Sequence, residues 1–213
     1  MGASADALAA IQQPLPRPPG SRQSAGRCEE RVKENHVLQF ARALDFAARK
    51  HIHQRRKGDL AEPYINHLSD VAWRLAEATN GEDATLVIAG LLHDTLEDTD
   101  TTFDELSKEF GREVAELVAE VSDDKTLAKA ERKRRQVAET PGKSLRAKMI
   151  KLADKTSNLN SLLVSPPRDW SVGRKRDYFE WAQKVVDGCR GVNFPLEEAF
   201  DRTWQQGMQN LPS

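Results

Sequence analysis

Cysteine is scarce in this chain of 213 residues: there are two, Cys28 and Cys189. They lie too far apart to form a zinc or redox spacing, and two cysteines make no disulfide framework, so their usage suits a reducing compartment. Aromatic residues are few, at 6%, and net charge is nearly nil, with 32 Lys+Arg set against 33 Asp+Glu. No global field draws such a chain to nucleic acid or an anionic membrane, although a local basic patch is not excluded. Long hydrophobic runs are also missing. The most apolar stretch, Leu86-Val87-Ile88-Ala89-Gly90-Leu91-Leu92, falls far short of the roughly 20 residues that span a bilayer. A secretory signal is lacking too, because Ala7 to Ile11 is short and has no basic residue before it. Asp6 stands where a myristoylation signal wants Ser or Thr. These absences predict a cytoplasmic protein with neither a nucleic-acid nor a membrane partner.

What is present fits one globular domain: 38% hydrophobic and 31% charged residues. Residues 1–33 are rich in Pro, Gly, Ser and Ala and have no hydrophobic period, which predicts a disordered leader ahead of one domain over 34–213. Arg17, Arg22 and Arg27 hint at a transit peptide, but Pro14, Pro16, Pro18 and Pro19 would break its amphipathic helix. From Val37 the pattern turns helical. Val37, Phe40, Ala41, Leu44, Ala47 and Ala48 form one stripe, and His67, Val71 and Leu75 belong to another. Asp83 to Thr95 reads as a buried helix, because Ala, Gly and Leu are too frequent for a strand. Thr102 to Glu105 is a capping box opening a short helix that Gly111 closes. Helical patterns follow over Glu113–Val121, Leu127–Glu139 and from Ser144 through Leu159, then around Arg174–Val186 and Pro195–Gln209. The fold class expected is all-α, a single helical bundle.

The stretch Leu91-Leu92-His93-Asp94-Thr95-Leu96-Glu97-Asp98 carries the chemistry. Four ionisable side chains end an apolar helix, where burial is costly unless they are paired or bound to a cation. On a continuous helix His93 would stack on Glu97, and Asp94 on Asp98. A distant His67, following Pro63-Tyr64-Ile65-Asn66, and a distant Asp154, within Lys151-Leu152-Ala153-Asp154-Lys155, extend the set. Two imidazoles and two carboxylates make a mixed nitrogen and oxygen donor set suited to Mn, Fe or Zn.

At these residues the chain resembles the HD-domain phosphohydrolases, whose ligand order is H, then HD, then D. It is more similar to the hydrolase half of RelA/SpoT proteins, and most to their stand-alone relatives, the small alarmone hydrolases that include the metazoan SpoT homologue. Arg55-Arg56-Lys57, Asp123-Asp124-Lys125-Thr126-Leu127 and Tyr178-Phe179-Glu180-Trp181-Ala182 extend the likeness over about Ala41 to Phe200. One departure is Leu68, where many relatives have Pro.

The resemblance implies an HD-type helical bundle holding one Mn²⁺ on His67, His93, Asp94 and Asp154. Glu97 and Asp98 would orient or deprotonate the attacking water, and Arg56, Lys57, Lys125, Asn158, Arg174 and Tyr178 would contact substrate. It implies hydrolysis of the 3′-pyrophosphate of (p)ppGpp and, for the metazoan type, also of the 2′-phosphate of NADPH. Too little chain follows Phe200 for the alarmone synthetase domain that RelA/SpoT enzymes carry. Two other readings stand beside it: another HD enzyme acting on a nucleoside monophosphate or dNTP, and a non-catalytic nucleotide-sensing module. Lys129, Glu131, Arg132, Lys133, Arg134 and Arg135 read as a solvated helix face rather than a nucleic-acid site. His36, His51 and His53 read as surface or packing residues, and the oligomeric state is left open.

Overall fold

The computed structural model of the protein describes residues 36–212. The leader expected over residues 1–33 therefore lies outside the described residues. Helices follow one another as α1 (His36–Lys50), α2 (Ile65–Ala78), α3 (Ala84–Leu92), α4 (Thr95–Asp98), α5 (Phe103–Phe110) and α6 (Arg112–Val121). After them come α7 (Lys129–Glu139), a 3₁₀ turn (Thr140–Gly142), α8 (Leu145–Val164), α9 (Val172–Asp187) and α10 (Phe194–Asn210). Among the described residues β pairing is confined to an isolated antiparallel bridge between Arg55 and Pro63. No described helix is long and apolar enough to cross a membrane. The all-α expectation is met.

The centre of the bundle is α3. Every residue from Leu86 to Leu92 is buried, and the helix packs on α1, α2 and α6. Asp83 opens it by accepting the Leu86 N–H at 3.0 Å. Arg146 in the first turn of α8 then donates to the other Asp83 oxygen at 2.7 Å, tying the two helices at one end. Where α3 crosses α2 the backbones come close, and a Cβ on Gly90 would strike Leu75 Cδ1. The second core element, α8, is buried from Met149 through Ser157 although Lys151, Asp154, Lys155, Thr156 and Ser157 are polar. Such a helix is stable only if each polar group finds a partner.

Two local expectations change. The inward face of α1 is Ala43, Phe46 and Ala47, while Val37, Ala41 and Leu44 are exposed. The helix lies at the edge of the bundle, and Phe46 anchors it edge-on against Phe110, ring centres 5.2 Å apart. The helix expected through Thr95 ends at Leu92, and His93 and Asp94 form a turn before α4. Thr95 Oγ1 donates to Leu92 O at 2.6 Å across that break, so the two expected i,i+4 pairs do not share one continuous helix.

Gly90→Ala gains helix propensity but must displace Leu75, so overpacking should dominate and cost about 1–3 kcal/mol. Urea unfolding should show that loss, whereas Gly142→Ala, with nothing within 4 Å of the new methyl, should be near neutral.

Candidate metal centre

Three segments far apart in sequence bring the site together. A hairpin-like loop precedes α2, closed by the Arg56 N–H on Glu62 O at 2.8 Å and the Tyr64 N–H on Gln54 O at 3.2 Å. It delivers His67 in the first turn of α2. The turn between α3 and α4 supplies His93 and Asp94, and the buried middle of α8 supplies Asp154. Among the described residues His67, His93 and Asp154 offer ligand atoms that all lie within 4.8 Å of one another. His67 Nε2 is 3.4 Å from Asp154 Oδ1 and 3.7 Å from Asp94 Oδ2. His93 Nε2 is 3.8 Å and 3.1 Å from the same two atoms.

Each side chain is aimed by a bond on its far side. His93 Nδ1 lies 2.8 Å from Gly90 O. A carbonyl can only accept, so Nδ1 carries the proton and Nε2 turns to the acids. His67 Nδ1 is set by Ser157 Oγ at 2.9 Å. The Tyr64 hydroxyl donates to Asp94 Oδ2 at 2.7 Å. Lys155 donates to Asp154 Oδ2 at 2.8 Å and Asn158 to Oδ1 at 2.5 Å. His93 Nε2 itself is buried without a hydrogen-bond partner. A buried imidazole nitrogen without a partner, facing two carboxylates, fits a divalent cation bound by nitrogen and oxygen donors.

The electrostatics agree. Burial keeps His67 neutral by lowering its pKa. Burial opposes protonation of His93 as well, but Asp94 and Asp154 outweigh it and hold the imidazole up at about 10. Burial would raise both acids, yet His93 holds Asp94, and Lys155 with the imidazoles holds Asp154, well below the usual carboxylate range. The cluster therefore favours positive charge at its centre, which fits a bound cation.

Glu97 and Asp98 stand beside this cluster and outside the three-residue ligand group. Glu97 Oε2 accepts the Asp123 N–H at 3.1 Å and Oε1 accepts Arg132 Nη1 at 3.0 Å. Burial raises its pKa, the Asp123 N–H pulls it down, and the carboxylates of Asp123, Asp94 and Asp98 push it up again. Asp98 is ion-paired with Lys125, and its carbonyl accepts Gln54 Nε2 at 2.7 Å.

A cavity of about 660 Å³ opens onto the cluster. All the residues expected at the site line it: His67, His93, Asp94, Asp154, Glu97, Asp98, Arg56, Lys57, Lys125, Asn158, Arg174 and Tyr178. Arg56 donates to Asn158 Oδ1 at 2.9 Å, and Tyr178 lies between Trp170 and Trp181, ring centres 5.6 and 5.3 Å away. The structure adds Tyr64, Lys129, Arg132, Lys133, Lys155 and Trp181 to the wall. As expected, α7 is a solvated helix with no buried residue, but part of its charged face also lines the cavity. Lys129, Arg132, Lys133 and Gln136 line the cavity, and their 3–4 residue spacing sets them on one side of the helix. Arg134 and Arg135 instead pair with Glu131 on the exposed side. Lys125 is taken by Asp98, whereas Lys129 has no acid against it. Burial lowers the Lys129 pKa, and Lys57, Arg174 and Arg132 lower it further by repulsion. Arg132 is paired with Glu97 and Arg174 with Asp169, but Lys57 and Lys129 add positive charge to the wall that no described acid offsets, a place for an anion. His51 is buried and stacked on Tyr64, a packing residue as expected, and His36 and His53 are exposed.

The sequence matches the HD domain family over residues 43–176. The chain belongs to the HD-domain family. Within it, the chain is 51% identical over 170 residues to the human guanosine-3′,5′-bis(diphosphate) 3′-pyrophosphohydrolase MESH1, an alignment covering 80% of this chain and 95% of that one. The Drosophila melanogaster protein of the same name is 46% identical over 167 residues, 78% of this chain and 93% of its own. A solved structure, described as a metazoan orthologue of SpoT that hydrolyses ppGpp and plays a role in starvation responses, superposes with a TM-score of 0.77 at 45% identity. It covers 82% of this chain and 97% of that one. The match places this chain's buried His/His/Asp cluster within an HD domain.

Asp154→Asn should reduce bound divalent metal to background by elemental analysis. It should also destabilise the apoprotein by up to about 3–5 kcal/mol, because Lys155 would lose its buried counter-charge. Glu97→Gln should keep metal near the wild-type level. Metal loss in Glu97→Gln equal to that in Asp154→Asn would make Glu97 a ligand.

Proposed function

We propose that the chain is a manganese-dependent pyrophosphohydrolase that removes the 3′-pyrophosphate of guanosine 3′,5′-bis(diphosphate). The observation that carries this reading is one cavity that holds the His67/His93/Asp154 cluster and has Arg56, Lys57, Lys129, Lys133 and Arg174 along its wall. The names of relatives that align over nearly their whole length support the substrate.

His67, His93, Asp94 and Asp154 would hold one Mn²⁺, with Tyr64, Ser157, Gly90 and Lys155 aiming them. When bound, the ion supplies Lewis acidity, making water a stronger acid and offsetting charge on a phosphoryl oxygen. Glu97 then accepts the proton of the attacking water as its oxygen bonds to the 3′-phosphorus. The bond from that phosphorus to the ribose 3′-oxygen breaks, the 3′-oxygen takes up a proton, and GDP and pyrophosphate leave. Asp98 holds Lys125 against Glu97, 3.6 Å from its Oε1, limiting the negative charge around the base. Arg56, Lys57, Lys129 and Arg174 meet the phosphates, Asn158 is held ready by Arg56, and the aromatic rings of Tyr178 and Trp170 offer apolar surface to the purine.

A substrate panel with added Mn²⁺ tests the assignment. Pyrophosphate should be released from ppGpp, stopped by a chelator, restored by Mn²⁺, and exceed turnover of GTP, dNTPs and nucleoside monophosphates. NADPH belongs in the panel because its 2′-phosphate presents a similar ester beside a purine. A metal-loaded chain that leaves ppGpp intact would overturn the assignment.

A charge-assisted contact to phosphate contributes about 1.5–3 kcal/mol, or roughly 10- to 100-fold in affinity. Lys129→Ala should therefore raise KM for ppGpp by about that factor while kcat changes little. Arg134→Ala, on the exposed side of α7, is the control and should leave both constants unchanged.

A further inference from the structure

We infer that Arg132 is the positioning residue for Glu97, and that α7 serves as a polar strap locking that acid in place. The inference rests on the reading of Glu97 as the group that takes the proton from water. No residue of α7 is buried, so apolar packing does not explain its place against the cavity. Two side chains one turn apart, Arg132 and Gln136, reach inward instead. Arg132 Nη1 donates to Glu97 Oε1 at 3.0 Å. Gln136 Nε2 donates to Asp123 Oδ2 at 2.5 Å, and the Asp123 N–H donates to Glu97 Oε2 at 3.1 Å. One arm holds the first carboxylate oxygen directly, and the other holds the second through Asp123.

This arrangement stops rotation of the carboxylate while leaving it usable. Each oxygen has two lone pairs, and one bond to each leaves capacity for the proton of a water molecule. A guanidinium suits the task because it is rigid and permanently charged. The groups facing Glu97 are Asp94 before α4, Asp98 at its end, Asp123 and Lys125 after α6, and Arg132 from α7. Burial and three acids drive Glu97 toward its protonated, inactive form. The Asp123 N–H opposes them, and the Arg132 guanidinium, 3.0 Å from Oε1, places a positive charge on the same carboxylate. Arg132 also keeps its Nε buried without a partner, a cost that a bridge serving stability alone does not explain.

The test is steady-state hydrolysis of ppGpp by the Mn²⁺-loaded full chain across pH, with metal content and melting temperature read on every variant. Misplacing a catalytic group by about 1 Å can cost about 10²-fold. Arg132→Gln should lower kcat by about 10- to 100-fold, hold KM within about threefold and retain metal. With the cation gone the carboxylate protonates more readily, so the acid limb of the kcat profile should move to higher pH. Arg132→Lys should recover part of the rate. The double variant Arg132→Gln/Glu97→Gln should be no slower than Glu97→Gln alone. A rise in KM with unchanged kcat would make Arg132 a phosphate contact and overturn the inference, as would wild-type kinetics. If Arg132→Gln does not fold, Arg132→Lys and its double variant carry the same comparison. An active Glu97→Gln would strike down the reading of Glu97 and this inference together. An inactive Glu97→Gln beside a silent Arg132→Gln would strike down only the inference.

Discussion

Two imidazole nitrogens and the Asp154 carboxylate converge on one buried point, with Asp94 alongside, and much of the fold exists to make that tolerable. Burying such groups costs several kcal/mol apiece unless each is partnered. The structure meets that cost group by group along α8. Lys151 donates to Val121 O at 2.7 Å, Lys155 to Asp154, Thr156 to Leu152 O at 2.7 Å, and Ser157 Oγ meets His67 at 2.9 Å. What remains unmet is the positive charge between the acids. The break after Leu92 belongs to the same design: His93 keeps one nitrogen on Gly90 O and turns the other to the centre, while Asp94 turns to Tyr64 and the imidazoles.

Around that point the cavity divides its work. The side formed by α2, the α3–α4 turn and α8 is acidic and fits a cation. The α7 and α9 side is basic, with Lys129, Lys133 and Arg174 close to one another and Trp170, Tyr178 and Trp181 beneath them. Lys133 Nζ lies 4.4 Å from the Trp181 ring centre, and the Arg174 guanidinium lies 4.4 Å from that of Trp170. These ring faces stabilise the cations while leaving their charge free for an anion. Glu97 and Asp98 sit where the two sides meet.

Most of the candidate metal cluster was legible in the sequence because His93, Asp94 and Asp154 interrupt apolar runs, whereas His67 stood out only through its motif. His93-Asp94 closes the most hydrophobic stretch, and Asp154 follows Leu152 and Ala153 in a core stripe, so ionisable groups stand out there. The all-α class was legible from the same 3.6-residue period. The role of α7 was not, since its few apolar residues, Ala130, Val137 and Ala138, make no core stripe to show which side faces inward. Its charges read equally well as solvated, and only tertiary packing separates Lys129, Arg132 and Lys133 from Arg134 and Arg135. The face of α1 was misplaced for a related reason. Val37, Ala41 and Leu44 share the helical spacing of core residues, but an edge helix buries only the part that meets its neighbours.

The central claim is that four side chains from three segments hold a single ion. Anomalous diffraction from crystals of the protein grown with Mn²⁺, recorded on both sides of the manganese edge, tests it most directly. The account predicts one strong peak per chain, at bonding distance from His67 Nε2, His93 Nε2 and a carboxylate oxygen each of Asp94 and Asp154. A peak lodged instead between Glu97, Asp98 and Asp123, or no peak at the cluster in a manganese-active preparation, would contradict it.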